Sequence, residues 1–130
     1  MKKILVDTNA LRKVSEDYEP ILEKFNDSDV ILLSPIVIGE LIYGYKKGNR
    51  EAKNKKFLES FIEENNIEVL KISQETAEIY ANFRYQLGKK GKPIPSNDIW
   101  IAAQAMENGA VLVTYDQHFS EIPGLRVWGE

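Results

Sequence analysis

Four carboxylates stand where they could do chemistry. Asp7 directly follows the apolar run KILV, and Asp116 comes two residues after AVLVT. Asp98 falls at the start of NDIWIAAQAMEN, whose Ile101, Ala102, Ala105 and Met106 share one helical face. Glu40 is the single charge in SPIVIGELIYG, residues 34–44. On a helix it has Ile36 and Val37 one turn before it, Tyr43 and Gly44 one turn after, and no lysine or arginine at either spacing. An unpaired carboxylate on such a face is costly to desolvate. Four acids brought together without a counter-ion repel and raise one another's pKa values. A hard divalent cation removes the conflict, because Mg²⁺ and Mn²⁺ prefer oxygen donors and keep several waters. Acids around such an ion suit phosphodiester hydrolysis: one metal lowers the pKa of an attacking water, and a second, ~3.5–4 Å away, stabilises the leaving oxygen.

Three of the four also have an ordinary structural reading. Asp7, with Thr8 and Asn9, can end a strand and cap a helix. Asp98 can complement a helix dipole from the first turn, and Asp116 in TYDQH can be a turn residue. Glu40 is harder to dismiss.

The elements that must position these acids alternate. Short apolar runs at 2–6, 30–34, 67–72, 110–114 and 125–128 read as buried strands. Helical patterns cover Glu19–Phe25, Pro35–Lys47, Glu51–Glu64, Gln74–Leu87 and Asn97–Asn108. Ser34 is placed as an N-cap with Pro35 at the first helical position, and Gly88 and Gly109 as C-terminal stops. Strands alternating with helices predict an α/β fold with a parallel sheet covered on both faces. Open sheets of this kind place their sites beyond the carboxyl ends of the strands, where Asp7 and Asp116 fall. With 130 residues and no repeat or interdomain linker, one domain over residues 1–130 is expected.

Composition narrows the function classes. The absence of cysteine excludes disulfides, zinc thiolate sites and thiol nucleophiles. A single histidine, His118, excludes a mechanism with one histidine as acid and another as base; it reads as a surface turn residue. No apolar run reaches the ~20 residues a membrane span needs, and Asp7 interrupts the N-terminal apolar run too early for a signal peptide, so a cytoplasmic location is the default expectation. The net charge of −3 hides an uneven distribution. Residues 46–56 carry six basic groups against one acid, and residues 84–93 carry four with none. With the four site acids set aside, 16 acidic residues face 17 basic ones. Lys46, Lys47, Arg84, Lys89, Lys90 and Lys92 are therefore candidate contacts for nucleic-acid phosphates, with solvated helix faces as the ordinary alternative.

The segments VDTNAL, IVIGELIYG, PSNDIWIAAQAMENGAVLVT and TYDQHFSEIPGL resemble a PIN-domain protein, and within that superfamily the VapC-type toxins of toxin–antitoxin pairs. The likeness runs over nearly the whole chain. It implies a three-layer α/β/α sandwich with a central parallel sheet of four to five strands, and Mg²⁺- or Mn²⁺-dependent endoribonuclease activity. It carries the family's acidic positions to Asp7, Glu40, Asp98 and Asp116, its hydroxyl position near the metal to Thr114, and its polar position after the first aspartate to Asn9. It also implies a homodimer and a cognate VapB-like antitoxin whose C-terminal segment enters the active-site groove. Trp100, Tyr80 and Phe83, at helical spacings, are expected in the core or at a dimer contact.

Other α/β classes gather acids at strand ends without cutting RNA. A receiver-type signalling domain needs an acidic pair after the first strand and a phosphoacceptor aspartate after the third; here Thr8 and Asn9 follow Asp7, and IEVLKIS carries no aspartate. A haloacid-dehalogenase-like phosphatase needs an aspartate where Asn9 stands. A non-enzymatic binding module explains the basic patches and leaves Glu40 unexplained.

Overall fold

The computed structural model describes residues 1–129. In chain order the elements are β1 (Lys3–Val6), α1 (Thr8–Ser15), α2 (Glu19–Asn26), β2 (Val30–Leu33), α3 (Pro35–Lys47), α4 (Glu51–Glu64), β3 (Glu68–Val69), α5 (Gln74–Lys89), α6 (Ser96–Glu107), β4 (Val111–Val113) and β5 (Val127–Trp128). A 3₁₀ turn at Gln117–Glu121 lies between β4 and β5. The five strands form one parallel sheet in the order β3-β2-β1-β4-β5. Helices flank it, giving the expected α/β/α sandwich.

The central strands are almost wholly apolar because a covered parallel sheet has no wet face. Ile4, Leu5, Val6, Leu32, Leu33, Leu112 and Val113 are buried, packed with Val37 and Leu41 of α3, Ile99, Ile101 and Ala105 of α6, and Phe119. Among the described residues no helix is long and apolar enough to cross a membrane.

Strand order decides where the site lies. The chain leaves β1 towards β2 on one side and returns as β4 on the other, so the topological switch point falls between β1 and β4. Their register pairs Leu5 with Leu112 and Val6 with Val113, which brings the two strands to an end together. The Asp7 amide donates to the Val113 carbonyl at 3.1 Å and extends the ladder by one rung. Asp7 and Thr114 therefore leave the sheet side by side.

Three local expectations are completed or corrected. The helix that Asp7 is expected to be able to cap, given no extent from the sequence, is α1 over Thr8–Ser15, with Asp7 as its N-cap accepting from the Ala10 amide. The strand expected over 67–72 shrinks to Glu68–Val69. It pairs only with β2, and β2 ends where Ser34 and Pro35 turn the chain into α3, so nothing further is left to pair with. Helix α5 runs through Gly88 to Lys89, and Gly91, at φ +68°, makes the left-handed turn instead. The start of α3 is as expected: Ser34 accepts from the Ile36 amide at 3.1 Å and Pro35 stands at the first helical position.

Candidate functional site

Four chain segments deliver the acids to one place. The end of β1 presents Asp7, the middle of α3 Glu40, the first turn of α6 Asp98, and the turn after β4 Asp116. All four line a single cleft of about 540 Å³, together with Thr8, Asn9, Arg12, Tyr43, Gly44, Lys47, Ser96, Asn97 and Ile101.

Each acid except Asp116 has a side-chain or capping donor that fixes it. The buried Asp7 accepts from the Ala10 amide through Oδ1 at 2.9 Å and from the Thr114 hydroxyl through Oδ2. Thr114 Oγ1 in turn accepts from the Asp116 amide at 3.0 Å, so one hydroxyl ties the turn after β4 to the end of β1. Thr8 donates to Glu40 Oε1 at 2.7 Å. His118 Nε2 stands 2.8 Å from Asp98 Oδ2. Glu40 thus lies half-buried in a polar cleft rather than on a wholly apolar face, and its partner is a hydroxyl rather than a cation.

Arg12 and Lys47 line the same cleft, yet neither is in direct contact with a site carboxylate. Among the described residues no lysine or arginine forms an ion pair with any of the four acids; His118 alone does so, with Asp98. Burial pushes the Asp7 carboxyl above its ordinary range, against the hydrogen bonds from Thr114 and Ala10, and the charges of Asp116 and Asp98 add to the rise. Burial also raises Asp98; His118 opposes that, and Asp116 and Glu40 reinforce it. Asp98, Asp116 and His118 each offer a ligand atom, all within 4.8 Å of one another. Two carboxylates and an imidazole at that spacing, with Asp7 and Glu40 in the same cleft, fit a divalent cation bound chiefly through oxygen.

Several site residues escaped the sequence reading, among them Thr8, Arg12, Tyr43 and His118. His118 does lie in a turn, Gln117–Glu121, as expected, but its ring is half-buried against Asp98, twenty positions away. Arg12, on a helix whose extent the sequence did not show, lines the carboxylate cleft. Of the basic residues chosen from sequence, Lys47 lines the cleft. Lys46 pairs with Glu51, Arg84 donates to the Tyr80 hydroxyl, Lys89 lies over Tyr85, and Lys90 and Lys92 face Glu121. Phe83 is buried, while Tyr80 and Trp100 stack with ring centroids 4.0 Å apart and stay partly exposed.

A parallel α/β sheet with a carboxylate-lined crevice at its switch point defines the class, an acidic-site α/β domain. The PIN domain model matches residues 4–125. The chain belongs to the PIN-domain family, and within it to the VapC group. It is 34% identical over 130 residues to the tRNA(fMet)-specific endonuclease VapC of Salmonella typhimurium, covering 98% of this chain and 97% of that protein. It is 32% identical over 126 residues to ribonuclease VapC2 of Rickettsia felis, covering 93% and 92%. Among solved structures, DNA-bound VapBC from Salmonella typhimurium superposes with a TM-score of 0.87 at 34% identity, over 98% of both chains. VapBC2 from Rickettsia felis, bound to a DNA fragment from its promoter, superposes with a TM-score of 0.85 at 28% identity, over 98% of this chain and 99% of that one.

Proposed function

We propose that this chain, as one domain, is a metal-dependent endoribonuclease that hydrolyses RNA phosphodiester bonds and serves as the toxin of a toxin–antitoxin pair. The observation that carries the reading is the convergence of Asp7, Glu40, Asp98 and Asp116, from four separate segments, on one cleft at the switch point. The ribonuclease names of the similar proteins supply the substrate class. Their structures as VapBC assemblies supply the partner, a VapB-like antitoxin. Self-association as a homodimer belongs to the same proposal.

Asp98 and Asp116 would hold a Mg²⁺ or Mn²⁺ ion, with Asp7 and Glu40 as further oxygen donors. When bound, the ion lowers the pKa of an attacking water and offsets charge on the phosphate. The chain's own groups set the geometry. Thr114 and the Ala10 amide engage both oxygens of Asp7 and hold its carboxylate in one orientation. Thr8 does the same for one oxygen of Glu40, and His118 for one oxygen of Asp98. Each oxygen so engaged keeps a second lone pair for a ligand. Lys46, Arg84, Lys89, Lys90 and Lys92, outside the cleft lining, are proposed contacts for more distant phosphates of a longer RNA.

The test is cleavage of a mixed pool of single-stranded and structured RNA by the purified protein, with Mg²⁺, with Mn²⁺ and with EDTA, beside Asp98→Asn. Internal cuts that need metal and vanish in the variant are expected. Cutting that persists in EDTA or in Asp98→Asn overturns the assignment.

A further inference from the structure

We propose that Arg12, Tyr43 and Lys47 form a nucleotide subsite beside the carboxylates. An unstacked base of single-stranded RNA stacks on the Tyr43 ring, and Arg12 and Lys47 hold the phosphates on either side of it. The proposal rests on the ribonuclease reading above and adds to it the path of the strand.

The geometry begins with two helices. Tyr43 and Lys47 lie one turn apart on α3, and Tyr43 lies one turn beyond Glu40. Arg12 comes from α1, which packs against α3. All three line the cleft that holds the four acids. The glycine between Tyr43 and Lys47 matters here: a Cβ at Gly44 would stand 3.6 Å from Arg12 Nη2, so the guanidinium lies close against the bare backbone of α3. Arg12 is also steadied by Asn9, whose Oδ1 accepts from Nη1 at 3.3 Å. The acids are thus flanked on the α1–α3 side by two cations and an aromatic ring.

Tyr43 is 63% exposed, which leaves a large aromatic surface in water at the mouth of the cleft. Lys47 Nζ stands 4.8 Å from the ring centroid, so the ammonium occupies one face of the ring and the other remains for a base. The ring also borders a shallow groove formed with Pro35, Ile36, Gly39, Glu40 and Asn97, which continues the cleft past Glu40. An aromatic platform set among cations is how proteins hold single strands without reading sequence: any base offers a π-face and any backbone its phosphates.

A tyrosine–lysine pair one turn apart is not by itself a site, and the molecule contains its own control. On α5, Tyr85 is 68% exposed and Lys89 Nζ lies 5.4 Å from its ring. That pair has nearly the same local geometry and lies outside the carboxylate cleft. The cleft and Arg12 distinguish Tyr43.

The test measures binding of a fluorescein-labelled, mixed-sequence single-stranded 12-mer RNA by anisotropy in Mg²⁺, in an Asp98→Asn background that prevents cutting. Tyr43→Ala is expected to weaken binding about ten-fold, Tyr43→Phe to restore it, and Tyr85→Ala to leave it unchanged. Replacing the RNA with an abasic 12-mer should erase the difference between the parent and Tyr43→Ala. Arg12→Ala and Lys47→Ala should each lower the slope of log K against log salt by about 0.7, a change Tyr43→Ala does not produce. Melting curves check that each variant is folded. If the parent binds while Tyr43→Ala binds equally well, or loses as much on the abasic strand, the subsite is wrong and the ribonuclease reading stands. If the unmodified chain cuts no RNA in the pool assay and the parent binds none, both fall together.

Discussion

Helix α3 is capped by Ser34, directly behind the inner strand β2; helix α5 is capped by Ser73, behind the two-residue edge strand β3. The two are otherwise alike. Each opens on a serine cap, carries glutamate, contains one glycine or more, and ends near an exposed tyrosine–lysine pair. Only α3 borders the crevice at the carboxyl ends of the strands, so its Glu40, Tyr43 and Lys47 face Asp7, Asp98 and Asp116. The capping box of α5, Ser73 with Thr76, is spent on packing: both hydroxyls bond the carboxylate of Glu107 at the end of α6. Residue type does not separate the two helices. Their place relative to the sheet's switch point does.

The comparison breaks most easily at the glutamates. Glu40→Gln should lower cleavage by about 100-fold or more, as loss of a group acting at the reacting centre does. Glu78→Gln on the exposed face of α5 should leave the rate unchanged. Steady-state cleavage of one RNA by both variants checks this, and equal rates would dissolve the distinction between the helices.

A second contrast concerns carboxylates held by a donor. Asp98 is held by His118 in the cleft, and Glu107 by Thr76, 2.6 Å away, between α5 and α6. His118→Ala should weaken Mn²⁺ binding about 10–100-fold, the usual effect of removing a partner that orients a ligand. Thr76→Val should leave Mn²⁺ affinity alone and cost about 1 kcal/mol of stability. Calorimetric titration and thermal melting separate the two; a histidine variant with normal affinity and a lower melting temperature would make His118 purely structural.

The sequence revealed α3 to the residue, because Ser34 and Pro35 mark its start and Lys46 and Lys47 its last turn. It offered Asp7 as a candidate helix cap but left α1 without an extent, because its eight residues offer barely two turns of pattern. The stop of α5 was misplaced because GKKG offers two glycines, and only the fold shows that Gly91 takes the positive φ. The acids were visible as types, Asp7 and Asp116 beyond strand ends, Asp98 at a helix start and Glu40 within an apolar helix. Of the residues that orient them, Thr114 was named through the family resemblance; Thr8 and His118 were not, because they meet Glu40 and Asp98 only through side chains brought together by the tertiary fold.

Asp7 gives a smaller effect with a definite sign. Its folded pKa lies above the ordinary value of 3.8, chiefly through burial. A raised carboxyl contributes stability that is fully present below the unfolded pKa and is lost as pH rises through the folded one. The metal-free protein is therefore less stable at neutral pH, on account of this group, than it is in acid. Asp7→Asn removes that loss and keeps an acceptor for the Ala10 amide, so the variant should melt a few degrees above the parent at pH 7, with the gap closing as pH falls towards 4. Mn²⁺ should raise the melting temperature of the parent by mass action and that of the variant less. A variant that melts lower at pH 7 would mean that the hydrogen bonds to Asp7 outweigh the cost of its burial and the repulsion from Asp98 and Asp116.

The smallest effect tests the helices themselves. A Cβ added at Gly39 in α3 or at Gly88 in α5 meets nothing within 4 Å. Glycine inside a helix costs roughly 0.5–1 kcal/mol relative to alanine, through the freedom it keeps in the unfolded chain. Both Gly39→Ala and Gly88→Ala should therefore raise the melting temperature by similar small amounts. They should differ in function. Gly39 edges the groove that continues the cleft past Glu40, so its methyl group intrudes where an RNA strand would pass, whereas Gly88 borders no part of it. Gly39→Ala should raise KM for RNA with kcat little changed, and Gly88→Ala should alter neither. Equal stabilisation with a KM effect at position 39 alone would confine the functional difference between α3 and α5 to the surface each presents, with the helices themselves energetically equivalent.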